Sequence, residues 1–450
     1  LRKTITTIVA TAILLAGWQL FAVIANQPEL IPSLPRLVRT LCEWLVSGSF
    51  YQSVGATILR GILGMSISFV CAIGMAGLFA RFEWVYELFR PLLAIMRSIP
   101  VISFILLALI FLNPESIPLM IAFLTMFPLL TENLTRGILD LRPGLSIMAR
   151  QFHIKRSNVL FQIIYPQLKP FLYSGLASAA GFGWRAIIMG EVLSQCAFGI
   201  GSEMKRAQNF IAVPELLAWT IVAVFISFFF DKGISKVADI TPKISFANED
   251  QTIPTPTLSV LDTKDISYQY GIQHFSHSFQ KGIIYGISAP SGKGKTTLLN
   301  LIGGILLPTE GEIHPTRHSG IATIFQQPQL LPHLTAEENI ILPLSSFLTE
   351  EKARRIAQKH LQEMEMEPFG NRYPKELSYG QQQRIAIARA LAYPSPLLLM
   401  DEPFKGLDEA LSHRIIERIR EKQMKEERII LFTSHNPDEI RLLADEVIYL

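Results

Sequence analysis

Up to about residue 240 the chain alternates long apolar runs with short polar gaps; beyond about 258 it changes to short apolar runs broken by glycine turns and charged segments. A bilayer core is crossed by roughly 20 apolar residues of helix. Runs of that order fall at about 5–25, 57–79, 92–112, 116–135, 171–192 and 212–230. The first half, 1–240, therefore predicts a membrane all-α bundle of about six transmembrane helices. Pro91, Pro100, Pro118 and Pro128 fall at or inside two of these runs, which bundled membrane helices tolerate better than soluble ones because neighbours satisfy the freed backbone groups. Residues 258–450 read as an α/β domain of short strands and charged helices. Between the halves, 241–257 (TPKISFANEDQTIPTPT) contains prolines that forbid a continuous helix. It predicts a linker that would reach ~55 Å if fully extended. No internal repeat is present.

Composition supports the division. A chain of 450 residues is long enough for two or three domains, and 49% hydrophobic with 18% charged residues favours a membrane class. The net charge of +3 is small and does not suggest a nucleic-acid partner. Cys42, Cys71 and Cys196 are odd in number and widely spaced, which gives no disulfide framework or metal spacing; buried packing is expected. With Arg2 and Lys3 inside, the inside segments gather Arg81, Arg136, Arg150, Lys155, Arg156 and Lys169 among others, while the outside ones hold only Arg36, Arg39, Arg60, Lys205 and Arg206. That bias places the second half in the cytoplasm and the chain in the cytoplasmic (inner) membrane. Arg2-Lys3, an apolar run and small residues near Ala25 also look like a signal peptide. An uncleaved helix is the expectation, and the later spans fix the side either way.

Candidate chemistry concentrates in the second half. In APSGKGKTT (289–297) a strand runs into a glycine-rich loop and then a helix, the order in which backbone N–H groups cradle phosphates. Ser291, Gly292, Lys293, Gly294 and Thr297 line that cradle. Lys295 would neutralise β/γ-phosphate charge and the Thr296 hydroxyl would ligate Mg²⁺. Ala289 stands where the pattern has its first glycine and is accommodated only at negative φ. PLLLMDEP (396–403) is a buried-strand run ending in two acids. Asp401 would hold Mg²⁺ through water, and Glu402 would polarise the attacking water.

LSYGQQQRIAIARAL (377–391) opens an amphipathic helix with a serine–glycine turn. It resembles the LSGGQ signature of ATP-binding-cassette (ABC) proteins, with Tyr379 in place of the third-position glycine; Ser378, Gly380 and Gln381 match. In the same order, IFQQPQLLPHLTAEENI (324–340) resembles the Q-loop with Gln326, FKGLD (404–408) the D-loop with Asp408, and TSHNPDE (433–439) the switch region with His435. Tyr270 in SYQYG (267–271) is the candidate adenine-stacking aromatic, with Tyr268 as its rival. The resemblance covers about 258–450. It implies an α/β P-loop NTPase that uses ATP and Mg²⁺, with Glu402, His435 and Gln326 catalytic and Thr296, Gln326 and Asp401 at the metal. It also implies that two copies sandwich two ATP molecules head to tail, each signature capping the nucleotide of the other. No C-terminal regulatory domain is expected after His435.

LSIMARQFHIKRSNVLFQIIYPQLKP (145–170) is similar to the cytoplasmic coupling loop of importer permeases. Ala149, Ile163 and Pro166 keep the spacing, while Ile147, Met148, His153 and Tyr165 depart from it. The resemblance implies two short helices seated in a cleft of the cassette near Gln326. GWRAIIMGEVL (183–193) and the span layout look like permeases of sulfonate, nitrate, taurine and pyrimidine-precursor importers. The reading that results is a homodimeric fused permease–ATPase that imports a small solute, anionic or pyrimidine-like, fed by an external solute-binding protein. Arg97, Glu132, Arg185 and Glu191 lie near lipid and either pair inside the bundle or line a solute path. Two alternatives stand beside this reading. A half-size exporter would need long helices reaching far into the cytoplasm, against a short 80–91 loop. A cassette ATPase transmitting force without transport would need a large outer domain, against the small segments 26–56 and 193–211.

Overall fold

A computed structural model describes residues 2–238, 242–251, 258–269, 271–290, 292–315 and 320–450. It divides into two compact units, Leu1–Leu141 with Gln167–Thr241, and Arg142–Pro166 with Pro242–Leu450.

In chain order the helices of the first half are α1 (Arg2–Ala25), α2 (Leu34–Trp44), α3 (Gly48–Arg81), α4 (Glu83–Ser98), α5 (Val101–Phe111), α6 (Ile117–Leu139), α7 (Pro143–Gln151), the single turn α8 (Arg156–Asn158), α9 (Tyr165–Ser194), α10 (Ile200–Asn209) and α11 (Val213–Ala238). Helices α7 and α8 fall in the second unit. The buried positions of α3 are Ser53, Thr57, Gly61, Gly64, Ser68, Ala72, Ala76 and Phe79, a stripe of mostly small residues at steps of three and four. In lipid, helices gain little from apolar burial alone, so close backbone approach across small residues supplies the packing. Accordingly a Cβ on Gly64 would lie 2.6 Å from that of Ala122 on α6, and one on Gly61 would lie 2.3 Å from the Trp184 ring on α9.

The expected six spans need correction. Among the described residues four helices are long and apolar enough to cross a membrane, five if one bent pair counts as a span. The predicted span 92–112 is that pair: α4 and α5 meet at 94°. Pro100 has no N–H to continue the ladder and pushes the preceding residue out of helical geometry; Ile99 is extended, at φ −70° and ψ 129°. The predicted span 5–25 lies on α1, a helix of 24 residues whose described apolar stretch is Val9–Ala25. Cys196 is buried as expected, but Cys42 and Cys71 are exposed; Cys71 lies one residue off the α3 stripe.

Three of the four intramembrane charges are paired. Glu191, fully buried, accepts hydrogen bonds from Thr57 Oγ1 at 2.9 Å, Arg60 Nη1 at 2.8 Å and the Gly201 N–H at 2.9 Å. Arg60 also reaches Glu115 at 2.6 Å. Glu132 is shared by Arg97 and Arg136. Arg185 is exposed and lines a cavity of about 610 Å³ with Trp184, Met189, Thr220, Ser227 and Asp231.

The second unit contains β1 (Val260–Tyr268), β2 (Ile272–Gln280), β3 (Ile284–Ser288), α12 (Lys295–Ile302), β4 (Glu310–His314), β5 (Ile321–Ile324), α13 (Ala336–Leu344), α14 (Glu350–Glu363), α15 (Tyr379–Ala392), β6 (Leu397–Asp401), α16 (Glu409–Glu426), β7 (Ile429–Thr433), α17 (Pro437–Leu443) and β8 (Glu446–Tyr449). An antiparallel sheet β2-β1-β4 accompanies a parallel sheet of order β5-β6-β7-β3-β8. The inner strands β3, β6 and β7 are almost wholly buried, as parallel strands covered on both faces are. The segment 142–166 shares a core with this unit: Leu145, Met148, Phe152 and Ile163 pack in one cluster with Ile324, Leu334 and Met400. Residues 242–251 lie along the same unit, with the Ala247 N–H donating to the Ser345 carbonyl at 3.0 Å and the Thr349 N–H to Asp250 Oδ1 at 2.9 Å. Of the expected linker, 241 and 252–257 lie outside the described residues.

A buried asparagine fixes the loop that precedes α13. The amide of Asn339 donates to the carbonyls of Leu331, Leu334 and Thr335, and its oxygen accepts from the Leu331 N–H at 2.7 Å. Removing it orphans buried backbone groups. Asn339→Ala is expected to destabilise this unit by about 2 kcal/mol, read as a lower midpoint of chemical unfolding of the detergent-solubilised chain; an unchanged midpoint contradicts this anchoring role.

Candidate functional site

The carboxyl ends of parallel strands, where neighbouring connections leave in opposite directions, are where α/β sheets bind ligands. Here β3 runs into the phosphate loop, and Asp401 at the end of β6 aligns with Thr433 at the end of β7. In the loop, Gly292 and Gly294 take left-handed φ of +81° and +89°. At Gly294 a side chain is excluded twice, by that φ and by the Gly271 carbonyl 2.6 Å from a built Cβ. Ala289 is not among the positive-φ residues, so the substitution fits. Lys295 is 7% exposed, and its Nζ donates to the Ala289 carbonyl at 2.7 Å: the ammonium curls over the loop whose N–H groups open α12. Thr297 and Lys293 flank it; Ser291 and Tyr270 lie outside the described residues, and Tyr268 packs against the core.

Asp401 is the centre of the site. Its Oδ2 accepts from Thr296 Oγ1 at 2.9 Å and its Oδ1 from Thr433 Oγ1 at 2.8 Å. Burial pushes its carboxyl above the ordinary aspartate value, against the hydrogen bonds of Thr433 and Thr296 and the Lys295 charge. The Thr296 hydroxyl and the Asp401 carboxylate are hard oxygen donors. Among the described residues no group of three His, Cys, Asp or Glu is placed for a metal. One carboxylate and one hydroxyl fit Mg²⁺, which keeps several waters and takes the rest of its shell from phosphate oxygens.

Glu402 follows with φ +47°, a left-handed conformation that is uncommon for a residue with a side chain and that concentrates at functional sites. Its N–H donates to Thr433 Oγ1 at 3.0 Å. Its carboxylate meets His435 Nε2 at 3.1 Å and Lys405 Nζ at 3.3 Å. Burial alone would raise its pKa, but hydrogen bonds from Lys405 and Gln326 and the charges of Lys405 and His435 outweigh it and hold the carboxyl below the usual glutamate value. The side chain of Gln326 is thus engaged by Glu402. The expected residues Lys295, Thr296, Asp401, Glu402, His435 and Gln326 come together. Thr433 and Lys405 were missed: Thr433 closes the apolar run 429–433 just before His435, the only signal it gives.

A second cluster carries the signature turn. Ser378 caps α15 in a capping box: its Oγ accepts from the Gln381 N–H at 3.3 Å, and Gln381 Oε1 accepts from the Ser378 N–H at 2.9 Å. Gly380 abuts Gly406, whose carbonyl would lie 2.5 Å from a Cβ. Asp408 caps α16 through the Leu411 N–H at 2.9 Å. Among the described residues neither Ser378 nor Asp408 hydrogen-bonds to the phosphate loop. At the other end of α15, Arg389 is 1% exposed; its guanidinium donates to the carbonyls of Gln329 and Pro328 at 2.8 and 3.1 Å and lies 5.4 Å from the centre of the Phe152 ring. Phe152 also meets Tyr393 edge-on.

Residues 272–405 match the ABC transporter family, and residues 54–231 match the binding-protein-dependent transport system inner membrane component. An Fe(3+) ions import ATP-binding protein of Rhizobium etli is 35% identical over 40% of this chain and 54% of its own length. A glucose import ATP-binding protein of Saccharolobus solfataricus is 35% identical over 38% and 52%. The chain spans about half the length of these relatives. The solved dimeric structure of a bacterial ABC transporter cassette superposes with a TM-score of 0.40 at 32% identity, over 42% of this chain and 94% of that one. The match over 54–231 and its apolar helices make the chain a multi-pass protein of the inner membrane, with a soluble α/β domain in the cytoplasm. An uncharacterised ABC transporter ATP-binding protein of Methanocaldococcus jannaschii is 34% identical over 40% of this chain and 85% of its own length; with the two family matches, it establishes that this chain belongs to the ABC transporters, carrying a membrane component and an ATP-binding cassette in one polypeptide.

Proposed function

We propose that two copies of this chain form an ATP-driven importer of a small solute across the inner membrane, fed by an external solute-binding protein. The observation that carries the reading is the corner at the end of β6, where Asp401 is held between Thr296 and Thr433 and Glu402 faces His435 and Gln326. Lys295 and the N–H groups at the start of α12 bind the phosphates of ATP. Glu402, ionised at neutral pH, accepts a proton from the attacking water, which Gln326 and His435 orient. Thr296 and Asp401 would hold Mg²⁺, which would supply neutralisation of the phosphate charge. Ser378 and Gly380 of each copy donate to the γ-phosphate bound by the other, and Asp408 takes part at the same seam.

Phe152, against Tyr393 and Arg389, supports the segment 142–166 as the part through which cassette movement reaches the membrane helices. The import direction is supported by the match to a binding-protein-dependent component and by relatives whose names denote import of iron, glucose or polyamines. An anionic or pyrimidine-like solute is the proposed class, on the resemblance of 183–193 and the exposed Arg185.

Lys295→Ala is expected to lower ATP hydrolysis by about 100-fold or more, measured as phosphate release from the full chain in nanodiscs; near-normal turnover contradicts the phosphate role. Glu402→Gln should keep ATP binding while hydrolysis drops by about 100-fold or more, leaving the cassettes paired around ATP; rapid turnover would reassign the base. Native mass spectrometry should give two copies in the active particle, and full activity from a particle of one copy excludes the sandwich.

A further inference from the structure

Tyr379 stands where the signature motif carries a glycine, and its side chain occupies a defined place. It is the first residue of α15, directly after the cap Ser378. Its phenol hydroxyl donates to the backbone carbonyl of Gln326 at 2.6 Å. Its ring lies over Gly406, where a built Cβ would sit 2.8 Å from Tyr379 Cδ1; Gly406, at φ +78°, is itself confined to glycine. Burial raises the phenol above its ordinary pKa, with Lys405 opposing and Glu402 adding to the shift, so the hydroxyl is a proton donor at neutral pH. Gln326 in turn sends its side chain to Glu402, and Glu402 meets His435. One continuous set of contacts therefore runs from the signature turn through a single tyrosine to the hydrolytic carboxylate of the same chain.

Those two ends serve different nucleotides in the proposed dimer. Gln326 and Glu402 act on the ATP bound by their own phosphate loop, whereas Ser378 and Gly380 complete the site of the partner. We infer that Tyr379 is a positioning residue that ties the signature turn to Gln326, so that closure of the turn on the partner's ATP aligns Gln326 and Glu402 on the chain's own ATP. A glycine at this position has no atoms with which to make that tie. The inference rests on the homodimeric ATPase reading and extends it: the two ATP sites fire together because each chain links its two half-sites through one hydroxyl.

The test is a MgATP titration of hydrolysis by the full-length chain in nanodiscs, comparing wild type, Y379F and Y379G, with binding of trinitrophenyl-ATP measured in parallel. Wild type is expected to show a Hill coefficient above 1. Y379F keeps the ring on Gly406 and loses only the hydrogen bond. It should bind trinitrophenyl-ATP as wild type does, lose about five-fold in kcat, the scale of one hydrogen bond, and bring the Hill coefficient to 1. Y379G should show the same loss of cooperativity. A ring that merely fills space predicts the opposite split, with Y379F normal and Y379G impaired, and that pattern overturns the inference, as does normal kcat with an unchanged Hill coefficient in both variants. A wild type that hydrolyses ATP without cooperativity also overturns it, leaving the ATPase reading intact. A wild type that hydrolyses no ATP overturns the ATPase reading itself, and the inference falls with it.

Discussion

A carboxylate buried at the end of a strand has to be hydrogen-bonded, because an unpaired charge there is far costlier than a paired one. Asp401 meets this demand with two threonine hydroxyls, one from the first turn after the phosphate loop and one from the end of the neighbouring strand. Both partners arrive only because β7 lies between β6 and β3 in the parallel sheet. The same Thr433 hydroxyl accepts from the Glu402 N–H, which helps hold Glu402 in its left-handed conformation and turns its carboxylate toward His435. Sheet order, the pinned acid and the strained glutamate are thus one arrangement, and Thr296, Asp401, Glu402, Thr433 and His435 sit together as its result.

The parts of this arrangement that were legible in the sequence are those written in contiguous residues. The glycine-rich loop and the acid pair each occupy fewer than ten positions, and their spacing alone marks them as candidates. Thr433 was not legible, since its importance comes from strand register with Asp401 and a threonine ending an apolar run looks like any other. Hydropathy found the greasy stretches of the first half but not their direction: the 92–112 run reads as one span, and only the backbone at Ile99–Pro100 shows the chain turning through 94°. The pairing of Glu191 with Arg60 crosses 131 residues, beyond any local pattern. Tyr379 was visible as a departure from the motif, but the direction of its side chain was not.

The segment 142–166 belongs to the cassette by packing although it is bracketed in sequence by membrane helices. Arg389 holds much of this together. Burial pulls its pKa down to about 10, still well above neutral, so a full charge resides in the core. Two backbone carbonyls beyond the Q-loop glutamine and the face of Phe152 compensate it. A cation–π contact is strengthened when the cation is desolvated. One side chain of the signature helix therefore grips both the loop that follows Gln326 and the segment inserted from the membrane half, and a shift of any of the three disturbs the other two.

The cap of α15 has a chemical corollary. A serine hydroxyl offers one hydrogen and two lone pairs. In Ser378 a lone pair is taken by the Gln381 N–H, and that engagement draws electron density from the oxygen and leaves its hydrogen unspent. The group sits at the positive pole of a helix. An anion arriving at this turn would meet a hydroxyl whose capping bond uses only a lone pair, and would gain a donor without unravelling the first turn of the helix.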